Sequence, residues 1–109
     1  MRCGFCEQEF ISDVKVKVYC TEACRHKAET RRDRRRKRAY VSAHKEARAC
    51  VDCGVRYPAV VMDLDHRDPS TKVFGVSRMV NTFGLEKIKA ELLKCDVVCA
   101  NCHRLRTYT

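Results

Sequence analysis

Nine cysteines in a chain of 109 residues constrain this fold more than any other feature of the sequence. Eight of them stand in four close pairs, and Cys95 stands alone. A chain of this length buries only a modest apolar core, so it needs another source of stability. The odd number argues against a complete disulfide framework, and no amino-terminal apolar stretch has the form of a secretion signal. Because paired cysteines in a reducing compartment are typical of metal sites, we expect a cytoplasmic, zinc-dependent protein.

The four cysteine pairs fall into two quartets. The first comprises Cys3, Cys6, Cys20 and Cys24, and the second comprises Cys50, Cys53, Cys99 and Cys102. Tetrahedral zinc needs two tight turns whose sulfurs converge, and closely spaced cysteines supply such turns. We therefore predict two structural zinc ions, of which the second closes a long loop. The alternative for each quartet is a set of free cysteines that act as small apolar side chains, which is the role we expect for Cys95.

The positive charge of the chain is concentrated in one segment. The formal net charge is +9, and residues 25–49 contain eleven Lys or Arg against three acids. This segment lacks Gly and Pro and is rich in good helix formers, which predicts one exposed basic helix. Such a helix suits contact with DNA phosphates without base reading, and the alternative is a solvated linker. The residues expected to contact phosphates are Arg31, Arg32, Arg34, Arg35, Arg36, Lys37 and Arg38.

Composition divides the chain into three parts. Residues 1–24 form an amino-terminal zinc module with short apolar strands, which are predicted at Phe10-Ile11 and at Val14, Val16 and Val18. Residues 25–49 form the basic helical linker, and residues 50–109 form a second zinc-bearing domain. No apolar run is long enough to span a membrane, so we expect no membrane partner.

Residues 50–109 are expected to fold as a small α+β domain. A strand is predicted from Ala59–Met62 into Asp63–His66, and a second over Val73–Val76, with Ser77 capping a short helix. A helix is predicted over 85–94 and a terminal helix over 100–107.

Three side chains near the second quartet indicate hydrolytic chemistry. Asp65 and His66 end the first predicted strand, and His103 directly follows Cys102. Phosphodiester hydrolysis needs a base that activates water and a positive charge on the phosphate. A neutral imidazole can act as the base, and a divalent metal held by a carboxylate and an imidazole can supply the charge. The alternative for Asp65-His66 alone is a polar pair at a surface strand end.

These motifs together resemble the zinc-containing branch of the HNH endonucleases. They run as Cys50-Val-Asp-Cys53, Asp65-His66-Arg-Asp-Pro69 and Cys99-Ala-Asn-Cys102-His103, and they cover residues 50 to about 106. The resemblance implies a ββα-metal domain, with His66 as general base. It also implies that Asp65 and His103 bind a catalytic Mg²⁺, Mn²⁺, Ni²⁺ or Zn²⁺. The first cysteine quartet with its basic helix is similar to the ribbon-like zinc modules found beside DNA-processing domains.

One position departs from the family pattern. Lys94 stands where the middle Asn of the motif is usual, and Asn101 or Asn81 is expected to brace the catalytic loop instead. Arg67, Lys72, Arg104 and Arg106 flank the predicted site and are expected to hold the DNA backbone.

The sequence thus predicts a metal-dependent endonuclease that nicks or cuts DNA. The alternatives are a non-catalytic zinc-dependent DNA-binding protein and an RNA-processing enzyme. A homodimer would permit double-strand cleavage. The resemblance also suggests homing, packaging or restriction in a phage or mobile element, and hence the cytoplasm of a bacterial host.

Overall fold

The structure, a computed structural model, describes residues 1–11 and 18–108 and forms a small α+β protein. The helices and strands are α1 (Glu22–Glu46), β1 (Met62–His66), α2 (Val76–Thr82), α3 (Leu85–Leu92), β2 (Cys95–Cys99) and α4 (Ala100–Tyr108). No helix in this described part is both long and apolar enough to cross a membrane.

The basic segment forms α1, as its composition predicts. The helix begins after Thr21, whose hydroxyl accepts a hydrogen bond from the backbone N–H of Cys24 at 3.1 Å, as an N-cap does. It starts and ends three residues earlier than the predicted span of 25–49. The chain divides into two compact units, residues 1–36 and 37–109, and the division falls within α1.

The first unit contains the amino-terminal quartet. Arg2 and Glu9 form an isolated antiparallel bridge, and the Arg31 guanidinium lies 4.3 Å from the centre of the Phe5 ring. The predicted strand residues Val14 and Val16 lie outside the described residues.

The second unit is built on an antiparallel pair of strands. Met62 lies opposite Cys99 and His66 opposite Cys95, and α4 follows β2 directly and contacts both strands. The predicted strand therefore starts at Met62. Residues Ala59–Val61 form a single 3-10 turn instead, because β2 ends opposite Met62 and offers them no partner.

The predicted second strand over Val73–Val76 is wrong. Val76 is the first residue of α2, and the N-cap is Gly75 rather than Ser77. The backbone N–H of Val73 donates to the Glu91 carboxylate at 3.1 Å, so it is bonded to a side chain and not to a neighbouring strand. The strand that pairs with β1 is instead the apolar run around Val97.

Two small apolar clusters form the core of this unit. One comprises Cys50, Met62, Val97, Val98 and Cys99, and the other comprises Val76, Met79, Val80, Ile88 and Leu92. Leu64 packs against both clusters from the middle of β1. Cys95 is buried, which confirms its predicted place in the core, and burial raises the pKa of its thiol to about 11.

Candidate metal centres and catalytic cleft

The second cysteine quartet has the geometry of a tetrahedral metal site. Its four sulfur atoms all lie within 4.8 Å of one another, and the Sγ atoms of Cys53 and Cys99 are 4.0 Å apart. Zinc–sulfur bonds of about 2.3 Å at tetrahedral angles place sulfurs about 3.8 Å apart, so the spacing fits zinc. Gly54 has a φ of 75°, which allows the tight turn after Cys53.

The electrostatics of this quartet also favour a cation. Burial opposes ionisation of Cys50, but hydrogen bonds from the backbone N–H groups of Cys53, Cys99 and Asp52 outweigh it and lower the pKa of this thiol to about 6. The opposite holds for Cys102, because hydrogen bonding to the Cys99 sulfur, together with burial, raises its pKa to about 12. Four thiolates so close together repel one another. A divalent cation relieves that repulsion, so the quartet could hold zinc.

The first quartet repeats this arrangement. The Sγ atom of Cys20 lies 3.6 Å from that of Cys6 and 3.6 Å from that of Cys24, and its backbone N–H donates to the Cys3 sulfur at 3.4 Å. A Cβ atom on Gly4 would lie only 2.9 Å from a side-chain carbon of Val18, so this turn needs glycine. The two predicted zinc sites therefore both assemble as cysteine clusters that could bind the metal.

A cleft of about 630 Å³ lies beside β1 in the second unit. It brings together the two predicted catalytic histidines, one carboxylate and three cations. These residues are His66, His103, Asp63, Arg38, Lys45 and Lys72. The cleft can therefore accept an anionic ligand next to two imidazoles.

Two acids on the same face of β1 lie near His103. Asp63 and Asp65 both contact α4, which packs on one side of the strand. Asp63 Oδ2 lies 2.9 Å from His103 Nδ1, whereas Asp65 Oδ1 lies 3.9 Å from His103 Nε2. Asp63 is thus the direct partner of His103. The signal that could have found it is its position two residues before Asp65, on the same face of the strand.

Asp65 has a different direct partner. Its Oδ2 accepts from the Arg106 guanidinium at 2.8 Å. Arg106 also binds both oxygens of Asp52, at 2.6 and 2.7 Å, and one oxygen of Asp96 at 3.2 Å. The carboxylates raise the pKa of Arg106 further above its ordinary value. This arginine, expected to hold DNA, is therefore already engaged by three acids.

The other predicted phosphate contacts lie in varied surroundings. Arg67 donates to the carbonyl oxygens of Leu93 and Cys95 and to Asp96, whereas Arg104 is exposed on α4. On α1, Arg38 lines the cleft. The residues of the basic run outside the cleft lining comprise the exposed Arg31, Arg32, Arg34, Arg35 and Arg36, and the buried Lys37.

His66 lies on the wall of the cleft and is bound from behind by a buried acid. Its Nε2 is 2.7 Å from Oε2 of Glu91, and the two side chains are 8% and 2% exposed. Sequence reasoning missed Glu91. Its signal was the apolar stripe of α3, on which position 91 shares the buried face with Ile88 and Leu92.

The loop after β1 is bonded by residues other than Asn81 and Asn101. Asn81 and Asn101 are both exposed. The loop after β1 is held by Glu91, which accepts from Val73 N–H, and by Lys94, which donates from Nζ to the Thr71 carbonyl oxygen at 2.9 Å.

For the predicted catalytic metal, the cleft offers a candidate donor set rather than a complete cluster. Within the described residues, the two cysteine quartets are the only groups of three or more potential ligands whose ligand atoms converge. Asp63, Asp65 and His103 offer two carboxylates and one imidazole, which suit Mg²⁺, Mn²⁺ or Zn²⁺.

No protein-family model, curated protein or solved structure matches the chain.

Proposed function

We propose that this protein is a metal-dependent endonuclease of the HNH type that hydrolyses DNA phosphodiester bonds. The observation that carries the proposal is the cleft that gathers His66, His103 and Asp63 with basic side chains. A structural protein has no need to gather two imidazoles and a carboxylate around one cationic cleft. The motif resemblance over residues 50–106 supports the same function.

The order of elements around the second quartet also supports the proposal. The two antiparallel strands, which have α2 and α3 between them in the chain, are followed directly by α4, and the paired strands with this helix match the two strands and one helix of a ββα-metal domain. Cys99 ends β2 and Cys102 lies in the first turn of α4, so a zinc ion there would fix the helix against the strands. His103 follows at once, and its ring position is then set by the zinc.

His66 is the candidate general base, which takes a proton from the attacking water. A divalent metal held by His103 with Asp65 or Asp63 would stabilise charge on the phosphate and on the leaving oxygen. Arg106 binds Asp65 through Oδ2 at 2.8 Å, so Oδ1, which lies 3.9 Å from His103 Nε2, is the oxygen that could bind a metal while this ion pair is kept. Asp63 would have to exchange its contact with His103 Nδ1 for the metal.

Three cations in the cleft lining favour a nucleic-acid substrate. Arg38 and Lys45 approach from α1, and Lys72 from the loop after β1. They are suited to contact phosphates on either side of the scissile bond, independently of base sequence. The exposed arginines of residues 31–36, in the first unit, are further candidates for phosphate contact.

A second candidate function is favoured by one specific observation. Arg106 already binds one oxygen of Asp65, and Glu91 already binds one nitrogen of His66. A non-catalytic zinc-dependent DNA-binding protein would keep these two contacts permanently, because it never has to release either side chain for catalysis.

The deciding experiment is cleavage of supercoiled plasmid DNA with Mg²⁺, Mn²⁺, Ni²⁺ or Zn²⁺. We expect nicked or linear product, with the rate reduced at least roughly 100-fold in His66→Ala and unchanged DNA affinity. His26→Ala is the matched control, because His26 is an exposed histidine of α1 outside the cleft lining. Binding without cleavage under every metal would establish the non-catalytic alternative, and preferential cleavage of RNA would establish the RNA-processing one.

A further inference from the structure

Glu91 is an acidic side chain buried in the apolar side of α3. It is 2% exposed, and its two carboxylate oxygens together make three hydrogen bonds. Oε2 accepts from Val73 N–H at 3.1 Å and lies 2.7 Å from His66 Nε2, while Oε1 accepts from Lys94 Nζ at 3.0 Å. These donors stabilise the charge of the buried carboxylate, whereas an unpaired buried acid is strongly destabilising.

The charge state of Glu91 follows from these contacts. Burial tends to raise its pKa, but the hydrogen bonds from Lys94, His66 and Val73 outweigh burial and lower it. Glu91 is therefore ionised near neutral pH. An ionised carboxylate can only accept hydrogen bonds.

The proton in the contact between His66 and Glu91 consequently belongs to the histidine. Nε2 lies 2.7 Å from Oε2, and because an ionised Oε2 can only accept, Nε2 must be the donor. A neutral imidazole has one protonated and one bare nitrogen, so the bare nitrogen of His66 is Nδ1. A carboxylate behind a histidine fixes the ring orientation and the tautomer in this way in many hydrolases.

We infer that Glu91 is the positioning residue of the catalytic base, holding His66 so that Nδ1 accepts the proton of the attacking water. This inference rests on the proposed nuclease function. Water gives one proton to Nδ1, and its oxygen forms the new bond to phosphorus. The bond from phosphorus to the leaving sugar oxygen breaks, its electron pair stays on that oxygen, and the oxygen takes a proton from solvent water. The imidazolium then returns its proton to solvent.

The same carboxylate couples the base to the loop after β1. Val73 is bonded to Glu91 directly, and Thr71 is bonded through Lys94, which contacts Glu91 and donates to the Thr71 carbonyl oxygen at 2.9 Å. Lys72, one of the cleft cations, lies between these two residues. Glu91 and Lys94 thus hold the loop after β1 in place, which is the role expected of a bracing Asn.

The direct test is ¹⁵N NMR of the histidine rings in the full-length, zinc-loaded protein at about pH 8, with His66 signals assigned by their loss in His66→Ala. We expect the attached proton on Nε2 and a bare Nδ1. In Glu91→Gln the neutral amide weakens the preference for a proton on Nε2. We therefore expect a mixture of the two tautomers, or the tautomer with its proton on Nδ1. Glu86→Gln is the matched control, since Glu86 lies on the same helix, is exposed and pairs with Lys89 at 3.5 Å.

Plasmid cleavage gives a second readout. We expect kcat to fall roughly 10- to 100-fold in Glu91→Gln with little change in KM, and no change in Glu86→Gln. A proton on Nδ1 or on both nitrogens in the wild-type protein would overturn the inference, and so would an unchanged tautomer and kcat in a folded Glu91→Gln. Should this variant not fold, the wild-type ¹⁵N spectrum still shows which nitrogen of His66 carries the proton. Failure of the wild type to cleave DNA refutes the nuclease proposal, whereas the ring spectrum tests the pairing of Glu91 with His66 independently.

Discussion

Loss of the metal from the second quartet should unfold residues 37–109. The Cys53 and Cys99 sulfurs meet across 46 positions of sequence. Constraining a loop of that length lowers the entropy of the unfolded chain and is worth about 4 kcal/mol by the chain-entropy estimate for a cross-link. Small domains have a free energy of unfolding of roughly 5–15 kcal/mol. The apolar core here consists of two clusters of five buried residues, so this unit is expected near the lower end of that range.

The assay combines metal analysis with thermal unfolding followed by circular dichroism. The purified chain should contain about two zinc ions, and Cys102→Ser should lose one of them together with the cooperative transition of the second unit. Cys95→Ser is the matched control, because Cys95 is a buried cysteine outside both quartets. It should keep both zinc ions and lose only about 1 kcal/mol. A metal-free chain that unfolds cooperatively at the same temperature as the loaded one would refute the reasoning.

Three further predictions concern the core, the buried acid and the basic helix. Met62→Ala should lower the free energy of unfolding by roughly 2–5 kcal/mol in urea titrations, since Met62 is 1% exposed. The pKa of Glu91 is lowered in the folded state, so the ionised carboxylate stabilises the protein above about pH 4.3, and this stabilisation is lost as the pH falls. The free energy of unfolding should therefore fall less steeply with decreasing pH in Glu91→Gln than in the wild type. Replacing Arg34, Arg35 and Arg36 by Ala should weaken DNA binding uniformly and reduce its salt slope by roughly two to three.

Each of these has a contrary outcome that is easy to recognise. Val60 is 89% exposed, so Val60→Ala should change stability by less than about 0.5 kcal/mol; an equal loss in Met62→Ala and Val60→Ala would contradict the described core. Identical acid-unfolding curves for wild type and Glu91→Gln would mean that this carboxyl is not ionised when folded. An unchanged salt slope would make the arginine run a solvated linker.

The two cysteine clusters could be read from the sequence because their chemistry is local. A Cys-x-x-Cys turn already directs two sulfurs toward one point, so only the meeting of two such turns remains to be found. The basic helix was equally accessible, since its span lacks Gly and Pro and its character does not depend on a packed face. Both predictions hold in outline, with α1 displaced toward the amino terminus because Thr21 caps it.

The strand pairing was less accessible. Val73–Val76 and the run around Val97 are both short apolar segments, and periodicity cannot say which one pairs with β1. Tertiary contacts decide, because Glu91 binds the backbone of Val73 while Val97 lies opposite Leu64 in the sheet.

The sequence by itself determined the cysteine quartets, the basic helix and the placing of His103 directly after Cys102 of a quartet, since each follows from spacing or composition within a short stretch. Only the tertiary structure decided that Asp63 is the direct partner of His103 and that Glu91 binds His66. Those contacts join residues 40 and 25 positions apart, and they depend on which faces of β1, α3 and α4 are packed together. Hydrogen bonds across such distances are set by the packing of whole elements, and no local pattern encodes them.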